Sequence, residues 1–186
     1  SLVIDITERN TLEEKLRLSS KVFSETNEGI MITDNTGIIL DVNSAFTTIT
    51  GYTYDEALGQ KPSMLSSGKQ TVAFYKEMWQ AIKEFGYWQG EVWNRMKNGE
   101  IYAELLTISS ILDKDKNVLQ YVGTFADITQ SKKQQARLEQ MAHYDALTQL
   151  PNRVLLRDRF IQAQAHSKRE DKLLAVCFLA LDNFKP

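Results

Sequence analysis

The sequence predicts an α+β fold in which an antiparallel sheet carries its helices on one face. Three observations support this. Over residues 88–129, apolar and β-branched residues alternate with polar ones in three runs, broken at Lys97-Asn98-Gly99 and at residues 113–117. Residues 29–43 show the same alternation as two runs around Asp34-Asn35-Thr36-Gly37, four turn formers in succession. Residues 71–85 change to helical spacing, with Tyr75, Met78, Trp79, Ile82 and Phe85 on one face and Gly86 as the stop. A helix with one apolar face must lay it on a surface, and the sheet supplies one.

Composition sets the outer bounds. The chain has 186 residues, 42% hydrophobic and 25% charged, with a net charge of -2, which describes an ordinary globular chain with no basic excess for nucleic acid. No run approaches the ~20 apolar residues of a membrane span. The single cysteine, Cys177, rules out an intrachain disulfide and a cysteine metal cluster, and fits a reducing, cytoplasmic setting. A parent protein anchored upstream in a membrane stays compatible with that.

Taken in order, Asp5-Ile6-Thr7 precedes a charged helical stretch, and Asp127-Ile128-Thr129 precedes another, roughly one small domain later. Residues 1–7 therefore read as the strand end of a preceding copy, and residues 8–23 as a linker helix with Leu12, Leu16 and Phe23 on one line, interrupted by Ser19. The matching line after the second triplet is Gln134, Leu138, Met141 and Asp145. Both stripes suit pairing with a parallel copy in a homodimer, or packing on their own domain. After the 29–43 hairpin, Asn43 or Ser44 caps a short helix that presents Phe46 and Ile49 and ends at Gly51. Thr53-Tyr54-Asp55-Glu56 fits a capping box, with Leu58 inward and Gly59 as the stop. Residues 61–70 form a loop placed to cover a cavity. Asn98-Gly99 supplies the positive φ of a tight hairpin.

This order of elements, with Gly51-Tyr52-Thr53, Trp88-Gln89-Gly90-Glu91, Asn94-Arg95, Lys97-Asn98-Gly99 and the closing Asp127-Ile128-Thr129, resembles a bacterial PAS domain with its PAC segment. The resemblance covers about residues 20–129. It implies a PAS fold, a five-stranded antiparallel sheet with helices on one face, around a ligand pocket or a filled core. It also implies that Asp127, Ile128 and Thr129 couple that core to the following helix. The domains expected are 1–23, the end of a preceding PAS domain and a linker helix; 24–129, the sensory domain; 130–144, a signalling helix; and 145–186, the start of an α/β domain.

That last segment resembles GGDEF-type diguanylate cyclase domains. Asp145, Leu147, Thr148, Leu150, Asn152 and Arg153 match every fixed position of the family's opening motif. Leu155, Leu156, Phe160 and Ile161 are expected as a buried stripe, and residues 173–181 as a central strand with Cys177 in its core. At the strand's end the family carries a magnesium-binding aspartate, and Ala180 stands there. A methyl group cannot coordinate magnesium, so the resemblance implies the fold and sets Ala180 against cyclase activity. Asp182, Phe184 and Lys185 fit the pattern. The residues that bind GTP or cyclic di-GMP are expected beyond Pro186, and the resemblance implies that a degenerate domain of this kind precedes a cyclic di-GMP phosphodiesterase domain. 

For the pocket, the resemblance implies a choice of cofactors. Haem is disfavoured because residues 71–85 hold no histidine, and a cysteine-adduct flavin because Cys177 lies outside the domain. FAD is the leading candidate, with Trp79, Trp88, Asn94 and Glu104 as the residues to hold it and Pro62 as a departure, since it offers no side-chain hydrogen bond. The same residues have structural readings: tryptophans fill cores, and Glu104 on an alternating strand faces either the pocket or solvent. His143 and His166 lack metal-spaced partners and are expected at the surface. Three functions follow: a sensory and dimerising module of a cyclic di-GMP signalling protein, an active diguanylate cyclase, or a ligand-free spacer.

Overall fold

Asp34 shapes the first hairpin. Its Oδ1 accepts from the Thr36 amide (2.8 Å), the Thr36 hydroxyl (2.8 Å) and the Ile38 amide (2.9 Å), and Gly37 takes the left-handed conformation at φ 83°. This joins β1 (Gly29–Asp34) to β2 (Ile39–Val42) in the computed structural model, which describes residues 2–177. The described chain divides into two compact units, residues 1–132 and 133–186.

In the first unit, α1 (Leu2–Glu25) leads into β1 and β2, followed by α2 (Ser44–Thr50), α3 (Tyr54–Ala57) and a 3₁₀ turn (Pro62–Leu65). Then come α4 (Val72–Phe85), β3 (Tyr87–Arg95), β4 (Ile101–Leu112) and β5 (Val118–Asp127). The five strands form one sheet in the order β2-β1-β5-β4-β3, antiparallel throughout. This is the PAS-like α+β fold. Its topology turns on β1, which pairs with the last strand along its whole length, from Gly29 opposite Phe125 to Asp34 opposite Gln120.

Asn43 locks this arrangement. Its Oδ1 accepts from Phe46 (2.9 Å), which caps α2, and from Ile30 of β1 (2.8 Å). Its Nδ2 donates to the Phe23 and Glu28 carbonyls at 3.1 and 2.9 Å. One buried amide thus ties together α1, β1 and α2. Phe46 meets Phe125 edge to face at 5.9 Å, and Met31, Ile39, Val42, Ala57 and Leu65 complete that cluster.

Several expectations are corrected here. The strand end expected at residues 5–7 is helical, inside α1; no strand is described beside it, so its backbone groups bond within the helix. In the second hairpin only Gly99 adopts positive φ (91°), while Asn98 accepts the Glu100 amide with its side chain at 2.9 Å, giving a longer turn than the two-residue kind. On α4, Met78 and Ile82 are buried, but Trp79 and Phe85 sit on the exposed flanks, because one i, i+4 pair is enough to span the contact with the sheet.

In the second unit α5 (Thr129–His143) begins in the first and continues to a tight turn, then α6 (Arg153–Glu170). Leu138 and Met141 are exposed, and Asp145 lies past the helix end. The stripe expected on α6 is not buried: Leu156, Phe160 and Ile161 are exposed. Residues 173–177 form no strand and Cys177 is exposed, since a central strand needs ladder partners and none is described in this unit. His166 is exposed beside Glu170 (3.4 Å); His143 is half-buried, its Nδ1 without a hydrogen-bond partner among the described residues. Ala180, Asp182, Phe184 and Lys185 lie outside the described residues.

Candidate functional site

Alternation on the sheet decides what faces the helices. Along β5, Tyr121, Gly123 and Phe125 point inward, and register places them beside Met31 and Thr33 of β1 and Leu106 and Ile108 of β4. Val92 and Asn94 of β3 continue the same face. Tyr75, Met78 and Trp79 of α4 stand opposite, and the loop contributes Lys61, Pro62, Ser63, Leu65 and Ser66. Together they enclose a cavity of about 440 Å³, within the range of small-molecule sites.

The loop is fastened to the sheet. Ser66 bridges to Asn94, the Ser67 hydroxyl donates to the Trp93 carbonyl, and Arg95 Nη2 donates to the Ser67 carbonyl at 3.1 Å. The 61–70 segment thus forms a wall of the cavity.

Glu104 is the unusual group of the lining. It faces inward, 2% exposed, opposite Val92 on one side and Asp127 on the other. Asn94 Nδ2 donates to its Oε1 at 2.8 Å. Among the described residues its Oε2 makes no hydrogen bond of good geometry, nor does the buried Tyr102 hydroxyl two residues earlier on the strand, although the two groups act on each other's proton affinity. Burial raises the Glu104 pKa to about 7; the Tyr102 hydroxyl and the Asn94 amide offset part of that rise, and Asp127 adds to it. A carboxyl group of this kind exchanges protons near neutrality.

Three of the four residues considered for a cofactor, Trp79, Asn94 and Glu104, line the cavity. Trp88 does not: its ring meets Phe74 edge to face at 5.6 Å and lies over Gly90, where a Cβ would collide with the indole. Trp79 is 38% exposed and meets Tyr121 edge to face at 5.3 Å. Sequence reading named Met78 only as part of the helical face and left out Tyr121, Gly123 and Phe125 of β5. The alternation along β5 marks them as one face, and the β1–β5 pairing makes that face the cavity floor.

The end of β5 is bonded to β4 one residue from Glu104. The Ile128 amide donates to the Ala103 carbonyl (2.9 Å), and the Ala103 amide donates to Thr129 Oγ1 (2.8 Å). Asp127 Oδ1 accepts the Thr129 amide at 2.8 Å, and Lys132, one turn into α5, pairs with Glu91 of β3 at 2.6 Å. The first turn of α5 is therefore held to the two strands that carry Asn94 and Glu104.

The motif of the second unit closes on itself. Asp145 Oδ1 accepts the Thr148 amide and hydroxyl, each at 2.8 Å, and the Leu147 amide at 3.2 Å; the Thr148 amide is the chief cause of its lowered pKa. The Asp145 amide donates to the Leu150 carbonyl at 2.8 Å. Asn152 caps α6 through the Val154 and Leu155 amides (3.0 and 3.1 Å) and donates to the Ala142 carbonyl (2.7 Å), and Arg153 opens the helix. Leu147 and Leu150 are exposed. No group of metal-ligating side chains is found among the described residues, and no described helix is long and apolar enough to cross a membrane.

Comparison with known proteins agrees with this division. The family described as PAS domain matches residues 27–130, and the family described as diguanylate cyclase, GGDEF domain, matches residues 142–186. A cyclic di-GMP phosphodiesterase, PdeR of Escherichia coli, is 26% identical over 94% of this chain and 26% of its own length. A blue-light photoreceptor of Listeria innocua is 32% identical over 64% of this chain and 48% of its own. The crystal structure of a PAS domain from Colwellia psychrerythraea superimposes with a TM-score of 0.59 at 29% identity, over 62% of this chain and 98% of that one. The chain spans about a quarter of the phosphodiesterase, and 22% of other curated relatives.

Proposed function

For a chain that belongs to the PAS domain family and runs on into a GGDEF segment, we propose the role of sensor and relay in cyclic di-GMP signalling. The domains present and the cyclic di-GMP relative support a sensor module of that kind. The cavity receives a ligand, redox or partner signal, the Ala103–Ile128–Thr129 junction passes it to α5, and α5 carries it to the GGDEF domain. The observation that carries this reading is the bonding of the first turn of α5 to the strand that holds Glu104. We take the protein to work in the cytoplasm as a homodimer, with Leu16, Leu18, Val22, Leu138 and Met141 as the exposed apolar side chains available for pairing.

With Ala180 in place of the metal-binding aspartate, the GGDEF domain acts in this reading as a regulator ahead of a phosphodiesterase domain. An active diguanylate cyclase and a ligand-free spacer are the alternatives it displaces.

FAD remains the leading cofactor. Trp79 and Asn94 line the cavity as that assignment requires, and the Glu104 carboxyl there would be available to accept a ring N–H. Pro62 lines it too, without a polar side chain. When bound, a flavin supplies electron transfer; the chain's own residues orient its ring and keep water from it. A flavin absorbance spectrum of the purified protein tests this assignment, and a colourless protein that releases nothing on denaturation refutes it.

The relay is tested by helical phase in the full-length protein. Deleting Gln134 turns everything downstream by about 100°, whereas deleting residues 133–139 nearly restores the phase. The relay requires the single deletion to change cyclic di-GMP output more than the seven-residue deletion. Equal output from both refutes it.

A further inference from the structure

An empty hydrogen-bond position inside a cavity indicates what should fill it. Glu104 lines the cavity with Oε1 satisfied by Asn94, whereas its buried Oε2 makes no hydrogen bond of good geometry among the described residues and only the Tyr102 hydroxyl tempers it; such an atom costs about 1–3 kcal/mol, more when charged. Around it stand one further carboxylate and neutral phenols. Asp127 lies opposite on β5 and Tyr102 two residues earlier on β4, while Tyr75 of α4 and Tyr121 of β5 are titratable side chains of the lining itself. The one cation that lines the cavity is Lys61, exposed on the loop wall. Among the described residues no lysine, arginine or histidine forms an ion pair with Glu104.

We propose that the cavity selects ligands presenting an N–H donor, cationic or neutral, to Glu104 Oε2, and rejects those presenting an anionic group there. The proposal rests on the sensor reading only in taking the cavity as a ligand site. A donor satisfies the orphaned oxygen and, if cationic, neutralises a buried charge; a carboxylate at the same place adds a second negative charge beside Glu104 and Asp127. Size is permissive, since about 150 Å³ holds benzene and this cavity measures about 440 Å³. An aromatic ring with an amidine, amide or fused N-heterocyclic edge fits between Met78, Leu106 and Phe125, with its donor toward Glu104.

Gly123 provides a control. It lies on the cavity floor, and a Cβ there meets Met31 and Leu106 at ordinary distances of 3.7 and 3.8 Å. Gly123→Ala therefore keeps the fold and takes up ligand space.

The test uses three nearly isosteric probes, benzamidine, benzamide and benzoate, with the whole 186-residue chain at pH 8. Thermal shift and calorimetry are expected to show benzamidine binding at least tenfold more tightly than benzoate, with benzamide between them. Glu104→Gln, which keeps an acceptor but removes the charge, is expected to cut the benzamidine preference over benzamide to less than threefold. Gly123→Ala is expected to weaken both donors together. Benzoate binding as well as benzamidine overturns the proposal, as does no binding of any probe. Neither result touches the relay, which stands or falls on the phase deletions.

Discussion

Phe46 and Phe160 sit on helices of the two units, each on a line of apolar residues. Phe46 is 0% exposed, against Phe125 and beneath the sheet; Phe160 is 42% exposed on α6. The side chains are the same, so the difference lies in what their units provide. Residues 29–127 include the strands that α2 and α4 need to cover, whereas no strand is described in residues 133–177. An apolar stripe specifies a partner, and burial follows only where the partner is present.

The sharpest way to break that contrast is to truncate both rings. Phe46→Ala is expected to destabilise the first unit by about 3–5 kcal/mol, the cost of a cavity in a packed core. Phe160→Ala should change stability by roughly 0.5 kcal/mol or less, as at exposed positions. All three tryptophans lie at positions 79–93, so fluorescence-detected denaturation reads Phe46→Ala in the first unit, and the helical circular dichroism signal reads Phe160→Ala in α6. Comparable losses from the two variants would show that α6 is covered.

Glu104 should give the next largest effect, and its sign depends on pH. Its folded pKa, about 7, stands above the 4.5 of the free group. The unfolded chain therefore releases the proton first, and stability falls as pH rises from about 4.5 through about 7. The accumulated loss is about 3 kcal/mol. Glu104→Gln is expected to flatten this pH dependence and to make the variant the more stable protein at pH 8, with little difference at pH 4. An unchanged slope would mean that Glu104 is solvated.

The two asparagine caps compare the units again. Asn43→Ala removes bonds to Ile30, Phe46, Phe23 and Glu28 from a buried site and should cost about 2–3 kcal/mol. Asn152→Ala removes a cap on an exposed helix end and should cost about 1 kcal/mol, read by circular dichroism. Smallest is Lys132→Ala, which breaks a partly exposed pair with Glu91. It should change stability by roughly 0.5 kcal/mol while altering signal output, a combination that would separate relay from scaffold.

Most of the first unit's fold was legible in sequence because its signals are local. Thr53, Thr71, Gly51 and Gly86 act at the helix ends where their chemistry places them. The resemblance implied a five-stranded antiparallel sheet, but the pairing of β1 with β5 emerged only from the structure, since alternation gives a strand its faces and not its neighbour. Trp79, Asn94 and Glu104 were identifiable as candidates, yet only the register shows Glu104 facing inward, because a polar residue on an alternating strand reads as outward. The strand end at residues 5–7, and the described part of the expected 173–181 strand, residues 173–177, depart from the structure for one reason. A β pattern states a preference, and a ladder needs a second strand.

The central claim is that the cavity and the start of α5 are coupled. Amide hydrogen exchange in wild type and Glu104→Gln at pH 8, compared residue by residue, tests it most directly. Coupling requires protection to change at Ala103, Ile128 and Lys132, whose amides bond the junction and the first turn of α5, while amides of α6 stay as they were. Unchanged protection at all three, in a variant whose cavity has lost its charge, would contradict the claim.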